Sequence, residues 1–312
     1  MITITGDPFK FETQSKKGCI MLGYMDGVHI GHQKLTQRVL EKTAQLGAYS
    51  AVFAFNGLLY TKSIPSFRGL LTPHDEKAKL LGSLGVDVLM LFDFTEQLRD
   101  LPARDFVKIF LKDKLDAGFV VCGPGFSFGK GGLGKSSDLV KYCQELDIEA
   151  EVIGSVLYDN KPVSSTRIRN LLLEGQVEDA SKMLGRNYTI FGQVVHGHGI
   201  GKTMGIPTAN VVVPDKMKLV PGDGVYACLA RFDGKLIKSA VSIGNRPTFD
   251  DTQRSIEAHL LDFDGVLYNH DIELEFVSYL RGQRTFESKE ALIAEVTRNI
   301  DTTRKMLEDY HE

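Results

Sequence analysis

The sequence predicts two folded parts: an α/β domain built on a parallel sheet, then a small antiparallel β-barrel with a terminal helix. Three observations carry this prediction. At 312 residues the chain is about twice the length of an average domain. Its first half alternates compact apolar runs with amphipathic ones, which suits strands covered by helices on both faces of a sheet. Near Arg186 the pattern changes to strand-like runs separated by turn signals, the mark of a small barrel. The boundary divides the chain into residues 1–185 and 186–312.

In the first part the apolar runs at 19–23, 50–55, 86–92, 119–123 and 149–154 read as buried strands. Between the first two, residues 31–46 place Leu35, Val39 and Leu46 at helical spacing, with Gly47 as a stop. Residues 105–115 and 136–146 read as further helices, and 166–184 as a helical bridge. In the second part, strands are expected at 188–195, 209–213, 225–231, 238–243, 255–261 and 273–280. Turns such as Pro221-Gly222-Asp223-Gly224 and Phe232-Asp233-Gly234 separate them. The closing segment, 288–308, carries Leu292, Val296, Ile300 and Leu307 on one face, so a terminal helix is expected to lay that face on the barrel.

Composition restricts the class. Hydrophobic residues make up 43% and charged ones 25%, ordinary for a globular protein and unlike a disordered or collagen-like chain. Thirty-seven Lys and Arg stand against 40 Asp and Glu, a net charge of −3. With no basic footprint, a nucleic-acid partner is not expected, and any phosphate must be gripped locally. No apolar run approaches the ~18 residues of a membrane span, and no signal-peptide pattern opens the chain. A cytoplasmic protein without a membrane partner is expected. Cys19, Cys122, Cys143 and Cys228 are far apart and form no CxxC, so they read as buried thiols in a reducing compartment. Nothing in the sequence argues for or against an oligomer.

Gly23-Tyr24-Met25-Asp26-Gly27-Val28-His29-Ile30-Gly31-His32 follows the first apolar run and opens the first helix. Gly23 and Gly31 let backbone approach a ligand, and a helix N-terminus offers free N–H groups to anions. His29 and His32 are three residues apart on the starting turn and can point at one phosphate chain; local capping is the plain alternative. This H-x-G-H resembles the signature of nucleotidyltransferases that move an adenylyl group from ATP. Val163-Ser164-Ser165-Thr166-Arg167-Ile168-Arg169 resembles the S-S-T-x-x-R segment of the same superfamily. Hydroxyls of Ser164, Ser165 and Thr166 and the fork of Arg169 suit phosphate oxygens. Gly129-Lys130-Gly131-Gly132-Leu133-Gly134-Lys135-Ser136 matches the P-loop expression, but no strand runs directly into it, so a flexible glycine-rich loop is the preferred reading.

In the second part, His196-Gly197-His198-Gly199-Ile200-Gly201-Lys202-Thr203-Met204-Gly205-Ile206-Pro207-Thr208-Ala209-Asn210 makes a glycine loop able to fold over phosphates. Thr208 and Asn210 then offer oxygen ligands of the kind Mg²⁺ prefers; the two histidines lack further nearby ligands for a softer metal. This run, with Pro221 to Tyr226, Ser242 to Phe249 and Ile256 to Phe263 in order, looks like riboflavin kinase. With Leu71-Thr72-Pro73-His74-Asp75-Glu76-Lys77 and Phe126-Ser127-Phe128-Gly129, the whole chain is similar to the prokaryotic bifunctional riboflavin kinase/FMN adenylyltransferase (FAD synthetase) family.

The resemblance implies a Rossmann-like nucleotidyltransferase domain followed by a riboflavin kinase barrel. It implies ATP-dependent phosphorylation of riboflavin to FMN, releasing ADP, then adenylylation of FMN to FAD with release of pyrophosphate. Glu257 matches the kinase base, Thr208 and Asn210 the Mg²⁺–nucleotide positions, and Gly201, Lys202 and Gly205 the phosphate-covering loop; Arg281 lies in a stretch near the flavin. Departures fall in the first part. Where the family reads F-D-P-H-P, this chain has Phe55-Asn56-Gly57-Leu58-Leu59; Gly125 replaces an Asp or Asn, and Met25 an aromatic. Loss of donors aimed at developing charge slows such chemistry, so adenylylation is expected to be weakened. A monofunctional kinase with a degenerate first module is the alternative reading.

Overall fold

The computed structural model of the chain describes residues 1–11, 16–56, 67–197, 201, 205–245 and 254–310. By its internal contacts the chain divides into two units, Met1–Arg68 with Thr72–Ser164, and Gly69–Leu71 with Ser165–Glu312. The helical pair after Ser164 therefore counts with the barrel.

The first unit is a six-stranded parallel sheet. Its strands are β1 (Ile2–Gly6), β2 (Gly18–Leu22), β3 (Tyr49–Phe55), β4 (Val88–Phe92), β5 (Ala117–Cys122) and β6 (Glu149–Val152), in the order β1-β4-β3-β2-β5-β6. Alternation along the central strands explains the double cover. Ile20, Leu22, Phe53 and Met90 pack with Phe106, Phe110, Leu139 and Cys143 on one face. Cys19, Met21, Val52 and Leu89 pack with Leu35, Val39 and Leu81 on the other. Helices α1 (Ile30–Leu46) and α2 (His74–Ser83) supply the second layer, and α3 (Ser136–Gln144) belongs to the first.

Three details differ from the sequence reading. Strand β1 precedes the first expected strand and pairs only with β4; its side chains are mostly exposed, so it carries little apolar signal. Strand β6 is an edge strand with no fully buried residue, where a buried one was expected. The helix expected at 105–115 is wound as the π-type segment Val107–Lys114, closing with Leu115 N–H on the Phe110 carbonyl at 3.0 Å.

The second unit opens with α4 (Ser165–Leu173) and α5 (Val177–Leu184). A closed antiparallel barrel follows: β7 (Tyr188–Val195), β8 (Ala209–Val212), β9 (Gly224–Phe232), β10 (Lys235–Asn245), β11 (Arg254–Leu260) and β12 (Asp271–Arg281), in the order β7-β8-β11-β10-β9-β12. Tyr188, Ile190 and Val194 alternate inward from β7, as Ile272, Leu274 and Phe276 do from β12. Closure of β12 on β7 removes both sheet edges.

Helix α6 (Lys289–Met306) packs on the barrel, and of the expected face Leu307, just past its end, is fully buried against Ala227 and Leu229. Its fully covered stripe is Glu295, Asn299 and Thr303, continued by Leu307, while Leu292, Val296 and Ile300 are only half-buried. One guanidinium lies against that stripe. Arg281, at the end of β12, has its Nε 3.1 Å from Glu295 Oε1, and the two side chains are only 12% and 9% exposed. Asn299 Oδ1 accepts from the same Nε at 3.3 Å. Burying an arginine requires a carboxylate beside it, and Glu295 on this stripe supplies it.

Candidate functional site

Strand β2 ends where the sheet changes direction, with β3 and β4 on one side and β5 and β6 on the other. Ligands of such sheets bind outside the carboxyl ends at this switch point. The turn at 23–29 begins there and delivers the chain into α1. Gly23 N–H donates to the Phe53 carbonyl at 3.3 Å, anchoring the start. Four residues of the turn have positive φ, two of them not glycine: Met25 at 54° and β-branched Val28 at 41°. Such residues are strained and persist only where their surroundings over-determine them.

His29 caps α1, its Nδ1 accepting from His32 N–H at 3.3 Å. The two imidazoles stack, with centroids 3.6 Å apart and planes within 15°. Gly31 sits against this stack; a Cβ there would stand 3.1 Å from the His29 ring and press on it. Burial pushes His32 well below the ordinary imidazole pKa, with the His29 and Lys77 charges acting in the same direction. His32 is therefore neutral at pH 7, and its buried Nδ1 has no hydrogen-bond partner among the described residues.

The helix capping read as the plain alternative is thus present, and it sets the geometry of the pair. Beneath the turn lies a group that the sequence reading quoted only as part of a motif. Asp26 is buried and accepts from Thr72 N–H at 3.0 Å, while Thr72 Oγ1 accepts from Gly27 N–H at 2.9 Å. Lys77 is fully buried; its Nζ donates to the Tyr24 carbonyl at 2.8 Å and lies 4.1 Å from the Tyr24 ring centre. Burial lowers its pKa to about 8 against the opposing pull of Asp26. A lysine four residues before Leu81, on the apolar stripe of α2, was the available signal.

Ser164 closes the first unit, and Ser165 begins α4 in the second, followed by exposed Thr166. Arg169 is half-buried and its Nε donates to the Gly69 carbonyl at 2.9 Å. The glycine run at 129–136 is an ordered hairpin. Ser127–Phe128 pairs with Gly134–Lys135, and Lys135 Nζ turns back onto the Gly132 carbonyl at 2.6 Å. It has no P-loop strand, and it is held where a flexible loop was expected. Gly125 is exposed in open space, with nothing within 4 Å of a Cβ placed there. Leu58 and Leu59 lie outside the described residues.

In the barrel, Thr208 and Asn210 are two residues apart at the start of β8 and so share a face, and Asn210 stands directly across from Glu257 of β11. Thr208 Oγ1 donates to Glu257 Oε2 at 3.3 Å. A Cβ at Gly197 would collide with the Asn210 carboxamide, which would have to move to admit it. Gly201 accepts from Ile206 N–H at 2.9 Å, and Gly205 turns through a φ of 75° on the surface. His259 Nδ1 meets the Pro207 carbonyl at 2.8 Å, fixing the entry to Thr208. Lys202 and His198 lie outside the described residues. On the other side of Glu257, Ser242 is its partner in β10, and Gln283 Nε2 donates to Ser242 Oγ at 3.0 Å and to the Ile243 carbonyl at 2.8 Å. Gln283 carried no signal in the sequence. Arg281 is engaged by Glu295, which also meets Arg284 at 3.5 Å and Arg298. All four cysteines are buried thiols.

The FAD synthetase family model matches residues 11–167, and the riboflavin kinase model matches residues 184–307. A bifunctional riboflavin kinase/FMN adenylyltransferase of Listeria monocytogenes is 36% identical over 286 residues, covering 91% of this chain and 90% of that one. The chain belongs to this bifunctional family. Members from Bacillus subtilis and Escherichia coli K12 are 32% and 31% identical, covering 94% and 93% of their own lengths. Among solved structures, the crystal structure of Macrolide-efflux Protein from Streptococcus pneumoniae is 29% identical with a TM-score of 0.89, covering 97% of this chain and 99% of that one. In the present chain, no helix among the described residues is long and apolar enough to cross a membrane.

Proposed function

We propose that this chain makes both flavin nucleotides, phosphorylating riboflavin to FMN in residues 186–312 and adenylylating FMN to FAD in residues 1–185, with ATP as co-substrate for each. The observation that carries the reading is the Thr208–Glu257 hydrogen bond on the face that Asn210 shares, where Gly197 comes close to the Asn210 carboxamide. There Glu257 takes the proton of the ribityl 5′-hydroxyl as its oxygen attacks the γ-phosphorus of ATP, and ADP leaves. The Thr208 hydroxyl and Asn210 carboxamide are hard oxygen donors that fit Mg²⁺, which neutralises phosphate charge when bound with the nucleotide. Gly201, Lys202 and Gly205 cover the phosphates, and Arg281 is assigned to the flavin side.

In the first unit, a phosphate oxygen of FMN attacks the α-phosphorus of ATP and pyrophosphate leaves, with no covalent enzyme intermediate. The stacked His29 and His32, Gly23, Gly31 and the N-terminus of α1 receive the phosphate chain. Ser164 supplies a further contact, and Ser165, Thr166 and Arg169, which follow it, are assigned to nucleotide phosphate by the family resemblance. Both activities are placed in the cytoplasm. The test incubates the protein with riboflavin, ATP and Mg²⁺, and separately with FMN, ATP and Mg²⁺, and separates the flavins by chromatography. FMN in the first and FAD in the second are expected, and His32→Ala is expected to lower the FAD rate about 100-fold. FMN without FAD would leave the monofunctional reading.

A further inference from the structure

The turn at 23–29 raises a question that its phosphate role does not answer: what holds it in a strained shape. Met25 and Val28 both carry positive φ, each costing on the order of 1–3 kcal/mol. A turn like this relaxes unless its carbonyls and amides are tied down. Two of its ties come from one place, the start of α2. Thr72 holds Asp26 and Gly27, and Lys77 reaches up to the Tyr24 carbonyl.

Lys77 is the less ordinary tie. A lysine with no exposed surface is rare, because removing an ammonium from water costs several kcal/mol unless it is compensated. Here the compensation is a carbonyl at 2.8 Å, an aromatic face at 4.1 Å and the nearby carboxylate of Asp26. All three belong to the turn. If the lysine served only to fill space, methionine would fill it without that cost.

We propose that Lys77 is a positioning residue of the adenylyl-transfer site, its buried ammonium holding the Tyr24 carbonyl and so the strained turn that aims His29 and His32 at the nucleotide phosphates. The inference rests on the adenylylation reading above. It also explains a second property of the pair. The charged and titratable groups facing Lys77 are Asp26 and Tyr24 from the turn and His32 from α1; those facing His32 are His29 and Lys77. A cation fixed near His32 opposes its protonation, so the His32 ring stays neutral and meets phosphate as a hydrogen-bond donor.

Lys77→Met and Lys77→Gln test this in the full-length protein. Lys77→Met keeps the bulk and removes both charge and donor; Lys77→Gln keeps a donor and removes the charge. Three quantities are read: FAD formation from FMN, FMN formation from riboflavin, and the His32 titration midpoint by NMR of ¹³C-labelled histidine, assigned with His32→Ala. Lys77→Met is expected to lose about 10- to 100-fold in kcat for FAD formation, as for a small misplacement of catalytic groups, with FMN formation within about twofold. The His32 midpoint is expected to rise in both variants, and Lys77→Gln to recover part of the rate. A folded Lys77→Met protein with an unchanged FAD rate and an unmoved His32 midpoint would overturn the proposal. If Lys77→Met does not fold, Lys77→Gln with wild-type rate and midpoint overturns it equally. Should the wild type form no FAD, the adenylylation reading fails by itself, and the His32 midpoint still decides whether Lys77 acts on this pair.

Discussion

Two glycine-rich turns do the phosphate work proposed for this protein, and they are held in opposite ways. The turn at 23–29 is strained and tied from below by buried polar groups, Asp26, Thr72 and Lys77. At Gly197 the barrel chain comes close to the Asn210 carboxamide because that residue has no side chain in the way. The first turn's strain is held by charge and hydrogen bonds; at Gly197 the close approach depends on a missing side chain. The first kind of shape tolerates loss of individual ligand contacts, because its frame stands apart from them. The second kind is sensitive to a single methyl group. That contrast fits where the departures from the family pattern fall, all in the first unit.

The sharpest break is expected at Glu257. Glu257→Ala removes the proton acceptor and is expected to lower FMN formation by about 10²–10⁴-fold, leaving FAD formation from supplied FMN unchanged. Initial rates of both reactions on the same preparation check it. Equal losses in both would mean that the substitution acts through folding.

Gly197→Ala tests the loop more finely. The added methyl must displace the Asn210 carboxamide, and a shift of about 1 Å is expected to cost about 100-fold in FMN formation. The same single-methyl change at Gly125 does nothing sterically, since that position opens on free space. Gly125→Asn is instead expected to raise FAD formation about tenfold by returning a polar group to a site that lacks one, an increment of the size of one hydrogen bond to a charged group. A steady-state comparison of wild type and variant with FMN and ATP measures it. An unchanged rate would place 125 away from the reacting phosphates.

How much of this was legible before the structure depends on distance along the chain. The central strands, α1 and the barrel strands were readable because each buries its own apolar pattern. So was the H-x-G-H turn, as a contiguous motif; Glu257, 49 residues from Thr208, was singled out only by the family resemblance, and their hydrogen bond came with the fold. What escaped depends on partners far away in sequence. Strand β1 is exposed and gains its place only by pairing with β4. Helix α6 turns its Glu295 stripe inward onto Arg281 of β12, and no helical periodicity encodes a partner on another element. The same holds for Gln283, which reaches Ser242 on β10. Lys77 escaped for a related reason: a lysine on an amphipathic helix reads as solvent-facing until the carbonyl it reaches is seen.

The smallest expected effect is thermodynamic, and it separates the two frames most cleanly. Lys77 is lowered from 10.5 to about 8 in the folded protein. Between those values the unfolded chain holds the proton and the folded one does not, so stability rises with pH across that window. Below pH 8 both states are protonated and the full cost of burying the charge remains. From pH 7 to pH 9 the gain from this one group is about 1 kcal/mol. Urea unfolding of wild type and Lys77→Met at both pH values isolates it, because groups away from the turn titrate alike in the two proteins. The wild-type protein is expected to gain on the variant as pH rises; a constant gap would mean that the ammonium is not buried as described. The Gly197 loop offers no such lever, since steric fit does not titrate.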